Sequence, residues 1–290
     1  FAGTSSGEGS GVTNENSTLD NSNETAPHDA TPHRRLRWWV EALITLVFYV
    51  IYSAVRNQFG STMGTSIKES AFDNAIRVID GEKALGLYFE EWIHQKFLDW
   101  DSFIIFWNIF YGSFHFMVTI GAMVWLFLRF PHRYTYMRSA LASTTSLALI
   151  GFAFFPLMPP RLLSNCTSQY GACVPGHDYV DTLVDPGGLW SFESGTMESI
   201  SNQYAAMPSL HVGWALWCTV ALFPILRARW AKGAIALYPV LTLFSIIVTA
   251  NHYWIDAVGG IVALSIGLIL AVPLARLLPG PAGTIMSDVA

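Results

Sequence analysis

Asn251-His252-Tyr253-Trp254-Ile255-Asp256 stands at the rim of one long apolar run, and Met207-Pro208-Ser209-Leu210-His211 stands at the rim of another. A histidine followed four residues later by an aspartate has the spacing of one helical face, where the carboxylate can hold one imidazole N–H and leave the other nitrogen basic. His252 so held is a candidate nucleophile. His211, opening a different helix, is placed to give the proton that a departing group needs. Ser209 and the free backbone N–H groups at the start of that helix form an anion site, with Ser209 expected as the cap. In Pro156-Leu157-Met158-Pro159-Pro160-Arg161, proline ends a third apolar run and delivers an arginine whose planar fork matches a pair of phosphate oxygens.

Other polar residues fall near these three clusters. Asn108, Tyr111 and His115 lie at spacings of three and four, hence on one face, where either hydrogen bonding between helices or substrate contact would account for them. Tyr111, His115 and Asn251 are expected to back the reacting groups. His177, Asp178, Asp181 and Asp185 form an acidic stretch with no firm frame for a cation, and are expected to be solvated. No carboxylate and histidine cluster has metal-ligand spacing, so neither a metal nor a cofactor is expected.

The elements that must position these residues are membrane helices. Of 290 residues, 52% are hydrophobic and only 13% charged, the composition of an integral membrane protein. Six runs approach the ~20 residues needed to cross a bilayer: 38–56, 102–129, 139–157, 209–226, 233–250 and 253–275. The expected fold is therefore all-α, a polytopic membrane protein with six transmembrane helices. Between the first two spans, 57–101 carries helical spacing of apolar residues and is expected to form two short helices broken at Gly81, either interfacial or packed as a cap. Residues 1–33 are expected as a disordered tail, 34–278 as the membrane domain and 279–290 as a second tail. No leader pattern is seen, and the net charge of −5 without a basic stripe excludes a nucleic-acid binder.

Ten of the 16 Lys and Arg residues, including Arg34, Arg35, Arg133, Arg138, Arg227 and Arg276, fall on one side if the N-terminus is inside. Both termini are then expected in the cytoplasm and both histidine motifs on the extracytoplasmic side of a cell membrane. Cys166 and Cys173 would lie in that outer compartment and are expected to be bridged, whereas Cys218 falls within a span.

The order Arg161, then Pro208-Ser209-Leu210-His211, then His252 with Asp256, on six spans, resembles the type 2 phosphatidic acid phosphatase superfamily. The likeness is closest to its inositol phosphorylceramide synthase-like branch, to which Glu82-Lys-Ala-Leu-Gly-Leu-Tyr-Phe-Glu90, Asn108, Tyr111, His115 and Pro159-Pro160 are also similar. Three positions depart from the wider pattern: Phe154 stands in place of a lysine, Ile246 in place of an arginine, and Leu210 in place of a glycine. The resemblance implies attack by His252 on a phosphorylated lipid, with Asp256 supporting the imidazolium and His211 protonating the leaving oxygen. A phosphohistidine would then pass to water or to a polyol such as inositol, with membrane lipids as the surroundings. Two other classes remain open: a transporter using intramembrane polar residues, and a catalytically inactive lipid-phosphate-binding protein.

Overall fold

The long apolar runs become helices because they are rich in Leu, Ile, Phe and Ala, and because in a bilayer a helix satisfies its own backbone. The computed structural model describes residues 37–58, 65–187 and 202–277, with Gly3. The chain divides into units 1–33 and 34–290. The expected tails, with Arg34 and Arg35, lie outside the described residues. Eight α-helices, with no strand among the described residues, follow in order: α1 Trp38–Gln58, α2 Thr65–Ala84, α3 Glu90–Phe97, α4 Asp101–Arg129, α5 Pro131–Phe154, α6 Leu210–Leu222, α7 Arg229–Val248 and α8 Trp254–Leu277. A 3-10 turn, Pro160–Leu162, follows α5.

Five of these, α1, α4, α5, α7 and α8, are long and apolar enough to cross a membrane. The fourth expected span is the exception. α6 has 13 residues, about 20 Å of helix against a hydrocarbon core of ~30 Å. The expected break at Gly81 is also displaced. α2 runs through Gly81 and stops at Gly86, which has φ +69°. There Leu87 N–H bonds Glu82 O at 2.8 Å and Gly86 N–H bonds Lys83 O at 3.0 Å, the paired closure that a left-handed residue allows. A mid-helix glycine costs only ~1 kcal/mol, whereas the left-handed position favours glycine.

Helices α5 and α8 run in closest contact, through small residues. A Cβ on Gly267 would stand 2.3 Å from Thr144 Oγ1 and 3.1 Å from Ala140 O. Helix α6 meets α8 in the same way, since a Cβ on Gly260 would stand 2.4 Å from Ser209 O. Without a strong hydrophobic drive between helices in lipid, such backbone approach is a main source of association. The core between α4, α5, α6 and α7 is filled by Trp217, Met137, Leu126 and Ile104, and Trp217 Nε1–H donates to Met137 O at 2.8 Å. Helix α1 lies at the side with Leu43, Leu46, Val50 and Ile51 exposed. It is joined to α5 by the buried Glu41–Arg138 ion pair, with Tyr134 OH on the same carboxylate at 3.1 Å.

At the end of the bundle where α5 stops and α6 and α8 begin, α2 lays Ala71, Ala75 and Ile79 over Leu157, Met158 and Leu162. Gly260→Ala is expected to lower the melting temperature of the detergent-purified chain by several degrees, because overpacking against rigid backbone costs ~1–3 kcal/mol. Gly233→Ala, whose Cβ meets nothing within 4 Å, is the control and is expected to leave melting unchanged or to raise it slightly.

Candidate active site

The three sequence clusters converge at that end, and backbone hydrogen bonds join them. Two residues beyond the end of α7 stands Ala250, which has φ +51°. Asn251 N–H returns to Ile246 O at 3.0 Å and Ala250 N–H to Ile247 O at 2.9 Å. Left-handed geometry at a residue bearing a Cβ is strained by ~1–3 kcal/mol, and it turns the chain so that His252 faces inward. Arg161 N–H bonds Ala250 O at 2.8 Å, and Ser209 N–H bonds Asp256 O at 2.9 Å.

His252 precedes α8 rather than lying on it, yet its separation from Asp256 is close to that expected of one helical face. Asp256 Oδ2 accepts the N–H of Tyr253 at 3.0 Å and lies 3.2 Å from His252 Nδ1. The side chain of the third helical residue thus reaches back to the capping residue, one half of a capping box. Nδ1 has a nearer partner that the sequence reading missed: Ala206 O, at 2.8 Å. A carbonyl only accepts, so Nδ1 carries the proton and Nε2 is left as the basic nitrogen. His252 and Asp256 are both buried.

His211, in the first turn of α6, brings its ring to 5.4 Å from the His252 ring, centroid to centroid. Tyr111 stacks on it at 4.2 Å and His115 meets it edge-on at 4.3 Å. His115 Nδ1–H is committed to Tyr111 O at 2.9 Å. A cavity of ≈ 60 Å³ beside His252 is walled by Tyr111, Pro159, Arg161, Asn202, Gln203, Ala205, Ala206 and Asn251. That is several times the ~10–15 Å³ that a single water needs, and on the scale of a phosphoryl group rather than a whole lipid. His211 opens instead onto a ≈ 10 Å³ space shared with Tyr111, His115 and Tyr238.

Arg161 reaches the cavity wall with Nη1–H on Asp181 Oδ2 at 2.6 Å and Nη2–H on Gln203 Oε1 at 2.5 Å. Asp181, expected to be solvated, is instead buried, because an arginine at this depth needs a counter-charge. Ser209 also departs from expectation. It occupies the N-cap position of α6 without a side-chain cap bond, its hydroxyl is buried and unpartnered, and it does not line the cavity.

Asn108 does not approach the cavity. Its Nδ2 donates to Thr182 O at 2.6 Å and Gly187 O at 2.7 Å, tying down the strap 177–187. His94, which the sequence reading passed over, completes the tie. Its Nδ1–H donates to Val248 O at 2.9 Å and its Nε2 accepts Val180 N–H at 3.1 Å. This requires the neutral ring, and burial holds His94 below its ordinary pKa. The only signal for these roles in sequence was polarity near an apolar run. Cys166 and Cys173 are bonded, with Cα atoms 4.7 Å apart.

A sequence model described as the PAP2 superfamily matches residues 76–270, more than half of the chain, including Arg161, His211, His252 and Asp256. The chain belongs to the PAP2 superfamily. Membership supports a phosphatase-type activity on a phosphorylated substrate. No curated protein and no solved structure matches the chain.

Behind His252 a second carboxyl group joins the start of α8. Glu90 accepts Trp254 N–H at 3.0 Å and Phe89 N–H at 2.9 Å. Glu82, fully buried beside it, makes no hydrogen bond of good geometry. Burial, then the charge of Glu90, and more weakly that of Asp256, raise the Glu82 pKa from 4.5 to about 9. The folded state therefore holds a proton that the unfolded state has lost, and this contribution to stability falls as pH rises between those two values. In Glu82→Gln that loss is absent, so relative to the parent the variant gains melting temperature with rising pH. Equal slopes of melting temperature against pH for the two proteins would show that Glu82 is ionised in the fold.

Proposed function

We propose that the protein cleaves a phosphoester of a phosphorylated lipid through a phosphohistidine, passing the phosphoryl-bearing group to water or to an alcohol acceptor such as inositol. The observation that carries this reading is that His252, with Nδ1 held and Nε2 basic, shares one small cavity with the buried Arg161, while the ring of His211 stands 5.4 Å from its own. His252 Nε2 attacks phosphorus, forming a P–N bond as the bond to the leaving oxygen breaks. His211 supplies the proton to that oxygen. The neutral His211 then takes the proton of water or of the acceptor hydroxyl, whose oxygen attacks phosphorus and releases His252. Asp256 offsets the positive charge that develops on the imidazole, and Arg161 and Tyr111 flank the phosphoryl group. A cavity of this size suits the phosphoryl group, with the acyl chains outside among the bilayer lipids.

The same reading puts this end of the bundle on the extracytoplasmic side of a cell membrane and both termini in the cytoplasm. The distribution of Lys and Arg supports that orientation, as does the Cys166–Cys173 bond, which suits an oxidising compartment. Transfer to a polyol rests on the resemblance of 82–90 and the Asn108, Tyr111 and His115 set to the synthase branch.

His252→Ala is expected to abolish turnover and to leave no phosphoenzyme after a rapid alkaline denaturing quench, in which a phosphohistidine survives. His211→Ala is expected to slow phosphoenzyme formation by ~10²–10⁴-fold. Incubation of the purified chain with headgroup-labelled phospholipids, with and without inositol, checks both variants and separates hydrolysis from transfer. Full activity in His252→Ala would end the proposal, and identical products with and without inositol would remove the transfer reading.

A further inference from the structure

The cavity wall carries a charge arrangement that phosphoryl transfer does not by itself require. Arg161, the cation on that wall, shares its fork with the Asp181 carboxylate at 2.6 Å. The pair is almost shielded from water, at 3% and 7% exposure, so its charges act more strongly than they would in solvent. Asp181 is also anchored. Its Oδ1 accepts Leu183 N–H at 3.2 Å, and its neighbours are fixed on both sides, Val180 by His94 and Thr182 by Asn108 and by Thr249 O. The backbone that carries the carboxylate is thereby fixed, and the carboxylate itself is held by Arg161 and by Leu183 N–H. A phosphoryl group that reaches Arg161 from the cavity therefore meets a fixed negative charge beside its ligand.

We propose that Asp181 is a positioning residue that sets the phosphate affinity of the site, steering the Arg161 fork while holding down its attraction for anions so that product can leave. The proposal rests on the reading of Arg161 as the phosphate-holding residue. The penalty grows with the charge of the bound group, because each added negative charge is repelled by the same carboxylate. A bare arginine would favour the most highly charged phosphate, and Asp181 blunts that preference. Asp181→Asn keeps the size and a hydrogen-bonding oxygen while removing the charge.

Binding of inorganic phosphate, mainly a dianion at pH 8, and of dimethyl phosphate, a monoanion, to the full chain in nanodiscs can be followed by phosphorus NMR. Asp181→Asn is expected to bind inorganic phosphate roughly ten- to a hundredfold more tightly than the parent, the order expected for removing one nearby like charge. The gain for dimethyl phosphate is expected to be smaller. Arg161→Ala is expected to lose binding of both. Unchanged or weaker phosphate binding by Asp181→Asn, with binding still lost in Arg161→Ala, would overturn the role of Asp181 and leave the phosphate site standing. Binding by Arg161→Ala equal to the parent would instead overturn the phosphate site itself. Should Asp181→Asn fail to fold, Asp181→Ser carries the same expectations, since its hydroxyl can still accept the Leu183 N–H.

Discussion

Three hydrogen bonds to main-chain oxygens hold the candidate site together: Arg161 N–H to Ala250 O, Ser209 N–H to Asp256 O, and His252 Nδ1–H to Ala206 O. Each joins two of the three chain segments that meet at this end of the bundle. In a setting where water is scarce, an unpaired backbone group costs far more than in solvent, so the segments have little freedom to separate. The helices then need only deliver their ends to the same place. Glycines 260 and 267 allow this by letting α8 lie against α6 and α5 at backbone distance.

The buried charges follow the same logic. Arg138 is met by Glu41 and Arg161 by Asp181, while the Asp256 carboxylate is met by the Tyr253 N–H and the His252 ring. Glu82, buried beside Glu90, lowers its cost by retaining a proton. The first pair ties a peripheral helix to the bundle, while the second stands at the cavity. Breaking either arginine pair would strand a charge away from water, a far larger penalty than the modest net value of the intact pair.

Much of this was legible in sequence, and the reason is contrast. His252, Asp256, His211 and Arg161 stand out because ionisable residues beside long apolar runs are costly unless they are used. What escaped notice depended on which loops meet. Asp181 reads as one acid among several in a polar stretch, and only the fold shows it buried against Arg161. Gln203 and His94 carry no pattern of their own. The Ser209 expectation followed a sound local rule, but its backbone N–H is engaged by Asp256 O and its hydroxyl is left out. Placing the helix stop at Gly81 instead of Gly86 reflects a limit of the same kind, since composition does not reveal which glycine adopts a positive φ.

The Ala206 carbonyl gives the proposed nucleophile an unusual sort of security. A side chain can be lost in a single codon change, but a peptide oxygen is present whatever residue occupies the position. The tautomer of His252 is thus written into the course of the chain, and drift at position 256 would remove one partner of the ring without reversing which ring nitrogen is left basic. Inheritance of this chemistry depends less on one aspartate than on keeping two loops at the same height.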